Sequence, residues 1–260
     1  MTISSRTLFL ALAVSLSLGC MAQNKEVVNV FGIGYNRQLD TYLSPEHYKG
    51  TELRYINSTT WLRPGRHWAR QMTHQGMVSY TKMRTDDNQY IGGMYNFRFA
   101  FQRKLNPIKV GNGDFQARVG AGPDFWLGFL YNTRNGNNPA QARLALRFTP
   151  EADVSYRFQV KEKPWTAKLN FAMPLFGLQF SPNYGQSYYE IFTRDNYDHN
   201  VCVTWIGSSP TFSTRLTLDI PIGRHSLTVG YLGDWQQVEV NDLKYLSYTH
   251  SFLIGWTINK

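Results

Sequence analysis

The stretch RLALRFTPEADVSYRFQ, Arg143–Gln159, alternates in character along its whole length. In an extended strand successive side chains point to opposite faces. Leu144, Leu146, Phe148, Val154, Tyr156 and Phe158 therefore share one face, and Arg143, Arg147, Glu151, Asp153 and Arg157 share the other. Strands of globular proteins usually have about 5 to 6 residues. A much longer strand with one greasy and one ionised face suits a closed membrane barrel, apolar toward lipid and polar toward a lumen. Closure matters because a sheet in hydrocarbon must pair every backbone group within itself.

The same period of two recurs along the chain. Phe31, Ile33 and Tyr35 alternate with glycine and asparagine. Tyr95, Phe97, Phe99 and Phe101 alternate with Asn96, Arg98, Ala100 and Gln102. Phe252, Ile254, Trp256 and Ile258 oppose Ser251, Gly255 and Thr257. Aromatic residues make up 15% of the chain and charged residues 17%, a composition that favours pleated sheet. No segment after the N-terminus has 18 consecutive apolar residues, which excludes a later transmembrane helix.

The N-terminus reads as an export signal. Arg6 precedes the apolar run Leu8–Leu18, too short to span a bilayer as a helix. The sequence GCMAQNKE follows, and Cys20 with Ala22 predicts cleavage before Gln23. Lipidation at Cys20 is the rival, but Ser17 stands where such signals usually carry an aliphatic residue. Cleavage leaves Cys202 alone, so no internal disulfide forms. One domain, 23–260, follows the signal at 1–22.

Turn signals at 39–49, 63–66, 85–89, 105–113, 132–141, 160–164, 182–187, 194–199, 207–210, 221–225 and 238–244 predict an antiparallel barrel of about twelve strands. An even number brings both ends to one side, taken as periplasmic. Four of the five connections on that side are compact and basic, RPGRH, NPIKVGNG, KEKP and IGRH; the fifth is RDNYDHN. Pro150 cannot donate a ladder hydrogen bond, so a bulge is expected there. The glycines of VGAGPDF are read as relieving crowding in the lumen.

The segments TYLSPEHYKG (41–50), RNGNNPAQA (134–142) and NYGQSYYEIF (183–192), with Ala22-Gln23 at the cleavage point, resemble a family of uncharacterised outer-membrane proteins of Bacteroidota, classed as a domain of unknown function. The resemblance implies an exported barrel in the outer membrane of a Gram-negative bacterium. It supplies no reaction, ligand or catalytic residue.

By alternation Arg98, Arg118, Asp124, Arg143, Arg147, Glu151, Asp153, Arg157, Lys168, Arg215, Asp219 and Asp234 face the lumen. Such a lining either sets the selectivity of a narrow channel or closes the lumen through arginine–carboxylate pairs. Enzyme readings are weaker. In His225-Ser226 and His250-Ser251 the two residues are adjacent, so each pair splits across the wall. A barrel protease would join Asp86 and Asp87 to Asp198 and His199, which the predicted topology places at opposite rims. No metal-ligand spacing or phosphate loop occurs, so no cofactor is implied. Tyr184, Tyr188 and Tyr189 form either a surface ligand site or an interfacial belt. The expected partners are outer-membrane lipid and, during insertion, barrel assembly machinery. The net charge of +9 is dispersed without a basic run, which argues against nucleic acid. A non-enzymatic barrel is expected, as a channel or a surface protein. The alternatives are a lipid- or peptide-hydrolysing barrel and a soluble periplasmic or lipid-anchored binding barrel.

Overall fold

The computed structural model describes residues 24–84, 88–136 and 138–260. The expected export signal and Cys20 lie outside them. Thirteen strands follow in chain order. They are β1 (Asn24–Asp40), β2 (Ser44–Leu62), β3 (Trp68–Met83), β4 (Gln89–Lys104), β5 (Ile108–Val110), β6 (Gly113–Asn132) and β7 (Ala140–Val160), then β8 (Lys163–Ala172), β9 (Phe176–Phe180), β10 (Val201–Trp205), β11 (Phe212–Ile222), β12 (His225–Val240) and β13 (Leu243–Asn259). Among the described residues one helix, α1 (Tyr188–Thr193), lies between β9 and β10.

Ten strands close a ring in the order β7-β8-β11-β12-β13-β1-β2-β3-β4-β6, and β6 pairs back onto β7. All pairings are antiparallel, and the first strand joins the last along Glu26–Asp40. Alternation gives the wall two faces. Phe31, Leu146 and Phe252 are more than half exposed on the outside, while Asn36, Glu52 and Asp124 are buried inside. Among the described residues no helix is long and apolar enough to cross a membrane.

The ring corrects the expected twelve strands to ten. The segment 188–193, read as a strand between two turns, forms α1 instead. Its start carries Ser187 and Glu190, which cap each other's backbone reciprocally, a helix-start pattern hidden in the sequence SYYE. The signal at 207–210 is not a turn between neighbouring strands. It interrupts one strand, of which β10 is the upper piece and β11 the lower. Two lost strands keep the number even, so both ends of the ring still meet on one side.

The neighbouring strand breaks at the same height. β8 and β9 are one path interrupted at 173–175, where Met173 N–H donates to the Pro150 carbonyl (3.1 Å) and Leu175 N–H to the Phe148 carbonyl (3.0 Å). Glu151 pairs with Ala172 and Phe148 with Phe176, so the partner strand carries the extra residue. The bulge expected at Pro150 is therefore displaced onto β8/β9, while β7 pairs with β6 without a register shift. The Pro150 carbonyl points toward β8/β9, and in a strand the nitrogen points the same way. The donor that proline lacks thus faces the break, where the ladder is already interrupted.

Above the breaks β9 and β10 continue the wall, but β10 pairs with β9 alone. The β11–β12 ladder ends at Phe212 and Trp235. Higher up, the wall is joined by Glu239 N–H to the Ser208 carbonyl (2.8 Å) and Gln237 N–H to the Thr211 hydroxyl (3.2 Å). A seam with few ladder bonds therefore separates β10 from β12. The glycines of VGAGPDF also serve otherwise than expected. A Cβ at Gly120 would stand 2.1 Å from the Phe101 carbonyl oxygen, and one at Gly122 2.0 Å from that of Phe99. They permit close approach of the β4 backbone rather than relief within the lumen.

Candidate functional site

Each strand sends every second side chain inward, so the lumen is built in tiers. The end bearing the start of β1 and the end of β13 is the lower end here. Near it, Lys168 Nζ lies 2.9 Å from Glu26 Oε2 and 2.8 Å from Asp219 Oδ2. The Thr228 and Thr257 hydroxyls donate to Asp219 Oδ1 at 2.7 and 3.1 Å. Arg118 stands 3.9 Å from Asp153, and the Gln102 amide donates to both Glu151 and Asp153. Arg215 enters this tier from β11, and Arg157 is exposed at the lower mouth.

The middle tier is the densest. Arg54 Nε meets Glu52 at 2.6 Å and its Nη1 meets Asp234 at 2.7 Å; all three are buried. Asn36 and Thr249 donate to the same Glu52 carboxylate at 2.9 and 2.8 Å. Arg98 lies 3.4 Å from Glu151 and 3.9 Å from Asp124. Arg147 donates to Gln236 Oε1 at 3.2 Å and approaches Asp124 to 4.0 Å. Burying charge is costly unless it is paired and hydrogen-bonded; each of these groups has a charged or amide partner, while Arg98 Nε and Arg147 Nε make no hydrogen bond among the described residues.

In the upper tier Arg143 pairs with Asp40, and its guanidinium carbon lies 3.2 Å from the Tyr245 ring centroid. Tyr48 and Tyr90 stack at 3.6 Å with 12° between planes, both fully buried, over Leu43 and Leu130. The connection 181–200 lies over this tier. The Tyr42 hydroxyl donates to the Gln186 carbonyl (3.0 Å), and the Tyr188 hydroxyl donates to Gln141 (2.7 Å) while accepting from Ala142 N–H (2.7 Å). Burial pushes the Tyr188 phenol up to about 12. The Ser187 backbone N–H and hydroxyl hold the Glu190 carboxyl below its ordinary range.

All twelve residues assigned to the lumen lie on inward-facing positions of their strands. Strand periodicity passed over six inward charges, Glu26, Asp40, Glu52, Arg54, Lys104 and Asp114, and the inward aromatics Tyr48, Tyr90, Trp126 and Tyr245. Asp40 and Tyr48 fell inside a supposed turn at 39–49, whereas the turn is only 41–43. The full set is evenly matched. Arg54, Arg98, Lys104, Arg118, Arg143, Arg147, Arg157, Lys168 and Arg215 face Glu26, Asp40, Glu52, Asp114, Asp124, Glu151, Asp153, Asp219 and Asp234, nine against nine among the described residues. Cavities of about 10 Å³ each lie beside Arg147 and Asp234 and beside Arg143 and Val238. Each has room for about one water.

The other candidates are dispersed. Ser251 faces inward, while His250 faces outward and meets the Tyr231 hydroxyl. His225 begins β12 at the lower rim. Asp198 and His199 pair in the 181–200 connection, at the same end as the β3–β4 turn, which corrects the expected opposite rims. Asp86 and Asp87 lie outside the described residues. Tyr184 and Tyr189 are exposed, whereas Tyr188 is held by β7. Among the described residues no group of three or more His, Cys, Asp or Glu is arranged to hold a metal.

A family model described as a protein of unknown function, DUF3316, matches residues 9–259. No curated protein matches the sequence. Among solved structures, the chain is similar to the outer membrane protease OmpT from Escherichia coli, with 9% identity, 94% of this chain and 100% of that chain covered, and a TM-score of 0.47. It is similar to the translocator domain of the autotransporter NalP from Neisseria meningitidis, with 10% identity, coverages of 97% and 94%, and a TM-score of 0.41. An outer membrane channel from Pseudomonas putida F1 shares 9% identity, coverages of 92% and 96%, and a TM-score of 0.39.

Proposed function

We propose, for a chain that belongs to the DUF3316 family of proteins of unknown function, a non-enzymatic barrel of the Gram-negative outer membrane, closed at rest. Export through the N-terminal leader and insertion by barrel assembly machinery bring it there, and acyl chains cover the apolar outer face. Its role is structural or surface-directed, with the 181–200 connection turned outward.

The observation that carries this reading is the lattice of paired charges spanning the lumen. An open pore lined by one sign of charge selects ions through its unpaired groups. Here the inward charges are equal in number and mostly engaged with one another, and the cavities beside Arg147 and beside Arg143 are water-sized. Moving a solute through would break several buried ion pairs at once.

A narrow channel that opens on a signal is the second reading. It is favoured by the placement of cavities beside Asp234 and beside Arg143, with paired side chains as the obstruction. Reconstitution in planar bilayers separates the two. The closed barrel is silent, and spontaneous discrete conductance from wild type overturns it. Heat-modifiable gel mobility of the protein in outer-membrane fractions tests the location.

A further inference from the structure

With the lumen neutral, the excess of base must lie elsewhere, and it gathers at one end. Ten of the 27 Lys and Arg residues stand at the lower rim outside the lumen, against one of the 18 acidic residues, Glu162. That rim alone carries nine net positive charges. The upper rim and its connections hold seven basic and eight acidic residues by sequence.

The lower charges run round the whole circumference. Lys25 and Lys260 mark where β1 begins and β13 ends. Arg63 and Arg66 occupy the β2–β3 turn, and Arg70 and Arg103 the lower ends of β3 and β4. Lys109 is on β5, Lys161 and Lys163 are at the β7–β8 turn, and Arg224 is at the β11–β12 turn. Arg66, Arg70, Arg103, Lys109, Lys161, Lys163 and Arg224 are exposed. They interleave with apolar side chains facing the same way. Trp68 pairs across the ladder with Arg103, and Arg70 with Phe101, while Trp68 and Ile108 are each 59% exposed. Lys25 Nζ lies 5.8 Å from the Trp61 ring centroid.

We propose that this rim is a collar for the anionic phospholipid headgroups of the leaflet in which it stands. A ring of charge bordering an apolar band fits an annulus of lipid, because phosphates sit at that height on every side of a barrel. A protein partner would instead call for charge concentrated on one side. Aromatic rings at the boundary anchor at headgroup level, and basic residues beside a membrane attract anionic lipid within a Debye length. The proposal rests on the barrel spanning a bilayer.

The test uses the full mature chain in phosphatidylcholine vesicles holding spin-labelled phosphatidylglycerol or spin-labelled phosphatidylcholine. Wild type should enrich phosphatidylglycerol several-fold in its motionally restricted shell at 0.1 M salt, and much less at 1 M. A collar variant joins Arg66→Ser, Arg103→Ser, Lys109→Ser, Lys161→Asn, Lys163→Ser and Arg224→Ser. It should bring the preference near unity while keeping heat-modifiable mobility. A control at the upper rim, Lys49→Ser with Lys82→Ser, Arg84→Ser and Arg194→Ser, should retain it. Equal shells in a heat-modifiable wild type, or a preference that survives in the collar variant, overturn the collar and leave the barrel reading standing. A wild type that acquires no lipid shell and no heat-modifiable form overturns both. Enrichment abolished by a stoichiometric acidic protein bound at the rim overturns the lipid as occupant.

Discussion

Arg54 Nη1 meets Asp234 Oδ2 at 2.7 Å across the barrel, between strands three steps apart in the ring. No ladder hydrogen bond links β2 with β12, so this contact works as a strut between opposite arcs of wall. Both side chains are almost completely buried.

Removing one end of the strut leaves the other charge without its partner. Asp234→Asn keeps the shape and leaves Arg54 with Glu52, so the loss should be about 1.5–3 kcal/mol, that of a hydrogen bond to a charged group. Arg54→Met strands two carboxylates, Glu52 and Asp234, and should cost about 3–5 kcal/mol. Urea titration of the folded barrel in detergent or vesicles gives the two midpoints. Equal, negligible shifts would show that the strut carries no load. The same variants in planar bilayers separate the readings of function, since conductance that appears only on cutting the strut favours the gated channel.

Pro150 should be replaceable. Its missing donor faces the break in β8/β9, where Met173 N–H uses the Pro150 carbonyl and the ladder is interrupted. Pro150→Ala is expected to change stability by less than about 0.5 kcal/mol, as at sites without a named defect. A proline placed at Phe148 removes a strand donor and should be far worse, about 3 kcal/mol or more, the scale set by proline in a regular element. Comparable unfolding midpoints for the two variants would contradict the placement of the break.

This contrast marks how far the sequence could be read. Alternation identified the walls and, on β7, all five inward charges, but passed over Glu26, Glu52 and Arg54 on the equally uninterrupted β1 and β2. It failed where two strands break side by side. There 207–210 looked like a turn because glycine and serine signal one, and nothing local shows that β10 and β11 continue each other. Residues 188–193 failed for a different reason. Tyr-Tyr-Glu-Ile-Phe favours a strand by composition, and only the Ser187–Glu190 spacing carries the helix. Glu52 and Arg54 were legible by parity, but their pairing with Asp234 depends on the closure of the ring.

The cap should respond to acid. The Glu190 carboxyl is held below its ordinary value of 4.5 by Ser187, so the folded form favours the ionised group. Its contribution is fully present above that value and disappears as pH falls through the lowered one. Protection of the Ile191 amide, which bonds to the Ser187 carbonyl, should therefore be flat from pH 7 to 5 and fall below pH 4. Glu190→Ala should show reduced protection across the whole range and no acid step. An unchanged acid step in that variant would assign the titration to another group.

The seam between β10 and β12 should be the most easily opened part of the wall. β10 has ladder bonds on one side only, and opening free energy falls where contacts and protected backbone bonds are few. Amides of β10 are expected to exchange faster than those of β13, which is paired on both sides. At the top of the seam Cys202 Sγ lies 3.3 Å from Asn241 Oδ1, and the Asn241 amide donates to the carbonyls of His199, Ser181 and Pro182 at 3.0 to 3.3 Å. Asn241→Cys places a second thiol against the first. Asn241 has φ 52°, which asparagine tolerates better than cysteine, so the reduced variant should be slightly less stable than wild type. Oxidation should reverse this and slow β10 exchange, since a cross-link restricts the opened state. Failure of the two thiols to join, or exchange in β10 that is indifferent to the bond, would show that the seam does not open along this edge.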